Sequence, residues 1–210
     1  MAITPSVRTQ KFEKFIVYFT LVYVTPFAIN ALVSGNSEFI YYTAVMILSI
    51  SVILFIHRRM HFYPIILLSL SLLGLFHLLG GNYYVNGVRL YDFWLIPPNI
   101  LKYDNVVHTF GSGVMVMLAY TMLKPVLRQP LEQHDIYFVI LLVLVGTGLG
   151  VINELIEFGA VLTFKAGDEV GYYTNTLLDL IYNTVGAIMM AIILVKTKIP
   201  LVELVQNPKK

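Results

Sequence analysis

Six ionisable side chains stand where an apolar sequence has most reason to exclude them. His77, Asp104, His108, Glu154, Glu157 and Asp179 lie in or at the ends of long hydrophobic stretches, and each such group in hydrocarbon costs about 2.5–3.5 kcal/mol on insertion scales. Each therefore needs a partner or a purpose. Asp104 and His108 are spaced i, i+4, Glu154 and Glu157 i, i+3, and Asp179 and Asn183 i, i+4, so each pair shares one face of a helix. Carboxylates converging in a low dielectric repel one another until some protonate or a cation binds among them. Oxygen and imidazole donors without thiolate suit zinc, manganese or iron, and acids paired with histidine resemble the Glu and Glu-x-x-His arrangement of dimetal helix bundles. The expected metal ligands are His77, Asp104, His108, Glu154 and Asp179. Glu154 and Glu157 are the expected catalytic pair, one of them a general base towards a metal-activated water, with Asn153 and Asn183 in support. No His-Glu-x-x-His signature is present.

The elements that position these groups follow from composition. The 210 residues are 58% hydrophobic and 12% charged, with mean hydropathy +0.77, against about 45–50% apolar in soluble domains. A water-soluble globule is excluded. The absence of cysteine removes disulfides, thiolate zinc sites, Cys nucleophiles and iron–sulfur clusters together. A net charge of +2 without a dense basic run gives no footprint for nucleic acid. A bilayer core of about 30 Å asks for about 20 apolar residues per helix, and six stretches meet or approach this: 15–33, 39–56, 63–79, 106–123, 136–162 and 175–195. The expected fold is an all-α, polytopic bundle of six transmembrane helices forming a single membrane domain. The first stretch, with Pro26 inside it and no small-residue cleavage site behind it, is read as a retained span rather than a signal peptide.

Lys and Arg orient the bundle. Arg8, Lys11, Lys14, Arg58, Arg59, Lys124, Arg128, Lys196, Lys198, Lys209 and Lys210 fall on one side, and only Arg89, Lys102 and Lys165 on the other. Eleven against three places both termini in the cytoplasm of a cell-membrane protein. With odd spans running outward and even spans inward, the polar positions all reach the outer leaflet, whereas 114–123 and 187–195 carry no charge until Lys196. A polar path across the membrane is therefore not expected.

The one long external loop, 80–105, holds Asn86-Gly87 between β-formers, a hairpin signal because both turn residues accept positive φ. The segment 93–98 is apolar but too short to span, and is expected in the outer interface or folded over the bundle mouth.

Plainer explanations exist for several residues. His77 could be a hydrogen-bonded helix-end histidine before a Gly80-Gly81 cap, and Asp104 an N-cap. Asp179 with Asn183 could be an interhelical network. His57, His61 and His134 belong to cytoplasmic edges, and Asp168 and Glu169 to a solvated loop. Glu154 and Glu157, inside the longest span, resist such explanations. Gly146, Gly148 and Gly150, with Gly111, Gly113, Gly159 and Gly186, read as helix-packing positions.

Tyr103-Asp104-Asn105-Val106-Val107-His108-Thr109-Phe110-Gly111, Asn153-Glu154-Leu155-Ile156-Glu157 and Asp179-Leu180-Ile181-Tyr182-Asn183-Thr184-Val185-Gly186-Ala187, in this order, resemble the YjdF-like family of prokaryotic membrane proteins. The resemblance runs from about residue 76 to residue 191. It implies that Asp104, His108, Glu154, Glu157, Asp179 and Asn183 fall on motif positions of the family, and it carries no activity. The short Asp-x-x-x-His and Asp-x-x-x-Asn-x-x-Gly elements are also similar to VanZ-like proteins. The expected function is an integral membrane protein with an outward-facing His/carboxylate site for a divalent metal or protons. Such a site suits a metal-assisted hydrolase or transferase acting on a membrane lipid or lipid-linked molecule. The alternatives are a cation- or proton-coupled transporter and a non-catalytic bundle, so enzyme status stays open.

Overall fold

The computed structural model describes residues 7–35, 37–97, 100–123, 126, 135–164 and 173–197. It contains six helices long and apolar enough to cross a membrane: α1 (Val7–Ser34), α2 (Ser37–Met60), α3 (Pro64–Asn82), α4 (Tyr103–Leu123), α5 (Asp135–Phe164) and α6 (Tyr173–Thr197). The chain is a multi-pass membrane protein. The helices overrun the apolar stretches because polar and aromatic residues continue the backbone hydrogen bonding past the hydrocarbon boundary. Thus α4 begins at Tyr103, ahead of its first apolar run, and carries Asp104 in its first turn. Pro64 opens α3 at its first turn, where a missing N–H is harmless. Lys124, Arg128, His134, Lys165, Asp168, Glu169, Lys198, Lys209 and Lys210 lie outside the described residues, as does the end of the 93–98 segment.

Helix α4 is the centre of the bundle and the most enclosed span, with α3, α5 and α6 packed around it; α1 lies against α2 and α3. Glycines make these approaches close. A Cβ on Gly186 of α6 would fall on the Thr109 carbonyl and Ser112 hydroxyl of α4; one on Gly146 of α5 would stand 2.5 Å from Val116, and one on Gly150 2.7 Å from the Asn183 amide. A Cβ on Gly148, in the same Gly-rich run, would meet nothing within 4 Å among the described residues. Polar pins join the outer helices: the Tyr23 hydroxyl donates to the Ser71 carbonyl at 2.6 Å, and Tyr41 to the Ile156 carbonyl at 3.1 Å. Along α2, Ile47, Leu48, Val52 and Phe55 stay exposed, as suits a lipid-facing wall, where acyl chains are as apolar as the side chains they meet.

The apolar core lies in one half of the bundle, where Val116, Met117 and Tyr120 of α4 pack with Phe138 and Leu142 of α5, Ala187, Ala191 and Leu194 of α6, and Ile66 of α3. Asp104, His108, Glu154, Glu157 and Asp179 lie in the other half.

The loop between α3 and α4 is built from two small antiparallel pairs. Strands β1 (Tyr84–Val85) and β2 (Val88–Arg89) close over Asn86 (φ 51°) and Gly87 (φ 79°), the positive-φ pair that a tight hairpin turn requires. A 3₁₀ turn, Leu90–Asp92, leads to β3 (Trp94–Ile96), which pairs with β4 (Leu101–Lys102) and runs directly into α4. The glycine cap expected at Gly80-Gly81 is displaced: α3 continues to Asn82 and Tyr83 closes it, donating its backbone N–H to the Leu79 carbonyl. Gly80 instead leaves room for the Tyr91 ring, which a Cβ there would meet at 2.5 Å.

Candidate metal centre

The start of α4 is fixed by a reach-back contact. The Lys102 backbone N–H donates to Asn105 Oδ1 at 2.9 Å, the reciprocal half of a capping box, with Asn105 in the third helical position. Asp104 is therefore not the cap. It sits within the first turn, where the helix dipole favours an acid, and faces inward. Asp104 Oδ1 lies 3.4 Å from His108 Nε2, one turn along the same face, and Asp104 Oδ2 lies 3.9 Å from Lys102 Nζ.

Helices α5 and α6 complete the cluster. Asp179 Oδ1 stands 3.7 Å from His108 Nε2, and Glu154 Oε1 3.7 Å from His108 Nδ1. Among the described residues two groups have ligand atoms mutually within 4.8 Å: Asp104, His108 and Asp179, and His108, Glu154 and Glu157. His108 is common to both, because an imidazole presents its two nitrogens in opposite directions. Asn153 Nδ2 donates to Glu157 Oε1 at 2.7 Å, from one turn earlier on α5.

His77 belongs to neither group. Its Nδ1 lies 2.6 Å from the Tyr91 hydroxyl, so the ring faces the loop. Asn183 is buried against Gly150, and its amide nitrogen, Glu154 Oε1 and Thr147 Oγ1 are buried without a hydrogen-bond partner among the described residues.

The site is enclosed, not open. Asp179 is 0% exposed, His108 5% and Glu154 9%. This corrects the expectation of an outward-facing pocket. The glycine contacts draw α4, α5 and α6 together, and Lys102, 7% exposed, fills the end of the cluster beneath the Trp94 ring, whose centroid lies 5.8 Å from Nζ.

Sequence reasoning missed Lys102, Asn105 and Asn175. Lys102 Nζ donates to Asn175 Oδ1. Asn175 Nδ2 donates to Asp179 Oδ2 at 2.7 Å and approaches Asp104 Oδ2 at 3.5 Å, while Asn105 Nδ2 donates to Asp179 Oδ1 at 3.2 Å. The i, i+4 spacing of Asn175 and Asp179 is a readable signal. Lys102, counted only as a loop charge, supplies a built-in cation to an acidic cluster.

Chemically, the arrangement offers imidazole and carboxylate donors with a tethered ammonium on one side. Residues 15–198 match the family model described as a predicted membrane protein (DUF2238), and the YjdF-like resemblance is consistent with that match. No curated protein and no solved structure matches the chain.

Proposed function

We propose a function from the site itself, because the chain belongs to the DUF2238 family of predicted membrane proteins and that description carries no activity. The protein binds a divalent cation, of the zinc, manganese or iron type, in the His108-centred cluster, and uses it for hydrolysis or transfer at a lipid-linked group. One observation carries this reading: Glu154 Oε1 is buried without a hydrogen-bond donor among the described residues, inside a ligand-spaced group with His108 and Glu157. A buried carboxylate oxygen without a donor is costly, and a bound divalent cation satisfies it. The cation would supply Lewis acidity and activate a water, and a carboxylate oxygen of Glu154 or Glu157 that does not ligate it would take the proton. A cluster within the spans receives its substrate from the membrane, which favours a lipid-linked one. The excess of Lys and Arg on the other side supports an extracytoplasmic position for this end and cytoplasmic termini in the cell membrane.

A cation- or proton-coupled transporter is the second reading. The packed apolar half of the bundle argues against a continuous path, since conduction needs polar or hydrated stepping sites.

Elemental analysis of purified protein tests the proposal. The wild type should carry one divalent ion per chain, and His108→Ala and Glu154→Ala should carry none. A metal-free wild type refutes the metal reading, and cation flux in proteoliposomes would then favour transport. A double variant that keeps wild-type activity and loses only stability would make the cluster a structural lock.

A further inference from the structure

Resting on that reading, we infer that the cation sits on the Nδ1 side of His108, held by Nδ1, Glu154 and Glu157. On this arrangement Asp104 and Asp179 hold the ring from its Nε2 side rather than ligate. An imidazole that gives one nitrogen lone pair to a metal carries its proton on the other, and that N–H needs an acceptor. His108 Nε2 faces acceptors, Asp104 Oδ1 at 3.4 Å and Asp179 Oδ1 at 3.7 Å. Those acids are already engaged: Asp179 accepts from Asn105 and Asn175, and Asp104 faces Lys102 and Asn175.

The opposite side differs in each respect. Glu154 Oε1 has no hydrogen-bond donor among the described residues, the partner given to Glu157 is a neutral amide, Asn153, and His108 Nδ1 is aimed at Glu154. Two carboxylates and a neutral imidazole match the charge of a dication. The other half holds its own cation, the Lys102 ammonium, where a second metal ion would meet like charge. The cluster is therefore asymmetric: one half binds, the other orients.

Titration of chelator-treated protein in detergent with Zn²⁺ tests this, with isosteric variants. The wild type should take up one ion. Glu154→Gln and Glu157→Gln should each weaken binding more than 100-fold. Asp104→Asn and Asp179→Asn should keep one ion per chain and weaken it about 10–100-fold, the range for groups that orient a ligand. Loss of the ion in the Asp variants with retention in the Glu variants overturns the inference and leaves the proposed function standing; a wild type that takes up no ion removes the proposed function itself. Should the Gln variants fail to fold, Mn²⁺-loaded wild type carrying ¹⁵Nδ1-histidine decides by pulsed EPR. A coupling typical of directly bound nitrogen is expected at the label, and one typical of the remote ring nitrogen overturns the assignment.

Discussion

The Tyr91 hydroxyl lies 2.6 Å from His77 Nδ1, fastening the loop between α3 and α4 to the penultimate turn of α3, with the ring over Gly80. Burial, and after it the charges of Asp104 and Glu157, push the Tyr91 pKa well above the ordinary 10.0. The native state thus holds this proton more tightly than the unfolded chain, whose tyrosines titrate near 10. The resulting stabilisation is complete below about pH 10 and falls as pH rises beyond it. Thermal unfolding in detergent should show a plateau between about pH 7 and 9 and a decline above about pH 10. Tyr91→Phe should flatten that decline and cost about 0.5–1.5 kcal/mol at neutral pH through the lost hydrogen bond. Identical alkaline profiles for the two proteins would remove Tyr91 from the account.

Gly186 governs how closely α6 approaches α4. Its missing Cβ would fall on backbone, the Thr109 carbonyl, which cannot turn aside as a flexible side chain can. Gly186→Ala should therefore destabilise by about 1–3 kcal/mol, the usual range for overpacking, and should separate His108 from Asp179. Gly148→Ala, at a position that meets nothing, should leave the melting temperature nearly unchanged. Equal effects of the two substitutions would refute the packing role.

The legible and illegible parts of this site divide along a physical line. Hydropathy and spacing determine how deep a residue sits and which neighbours share its helix face, so Asp104 with His108 and Glu154 with Glu157 were readable, as was the Asn86-Gly87 turn. Depth does not determine the direction in which a side chain points around the bundle axis. His77 shares the polar end of the bundle, yet its ring turns to Tyr91. Lys102 was hidden for another reason: its position depends on β3–β4 pairing and on Asn175, 73 residues away. The enclosure was illegible as well, since it arises from individual glycine contacts between helices.

Lys102 should behave as a buried counter-ion. Lys102→Met removes the ammonium 3.9 Å from Asp104 and leaves the Asn175 carbonyl oxygen without this donor. Breaking one side of a buried pair costs about 3–5 kcal/mol. Asp104→Asn in the same protein should offset part of that loss, with a coupling of about 0.5–3 kcal/mol. Unfolding of the four proteins after chelation measures this cycle, and strict additivity would show that the two groups do not interact.

Occupation of the His108–Glu154–Glu157 group should be visible as stability. A ligand that binds only the folded state adds about 2.7 kcal/mol at a free concentration 100 times its dissociation constant. The three ligating residues come from α4 and α5, whose contact already rests on Gly146 against Val116, so a bound ion would link two helices at a second point. Zn²⁺ should raise the melting temperature of chelator-treated wild type, with a rise that grows with the logarithm of free ion. His108→Gln removes the nitrogen donor shared by both groups and should abolish the rise. Asp179→Asn should shift the rise to higher ion concentration without abolishing it, because Asp179 faces Nε2, away from Glu154. A wild-type rise that persists in His108→Gln would place the stabilising ion elsewhere on the protein.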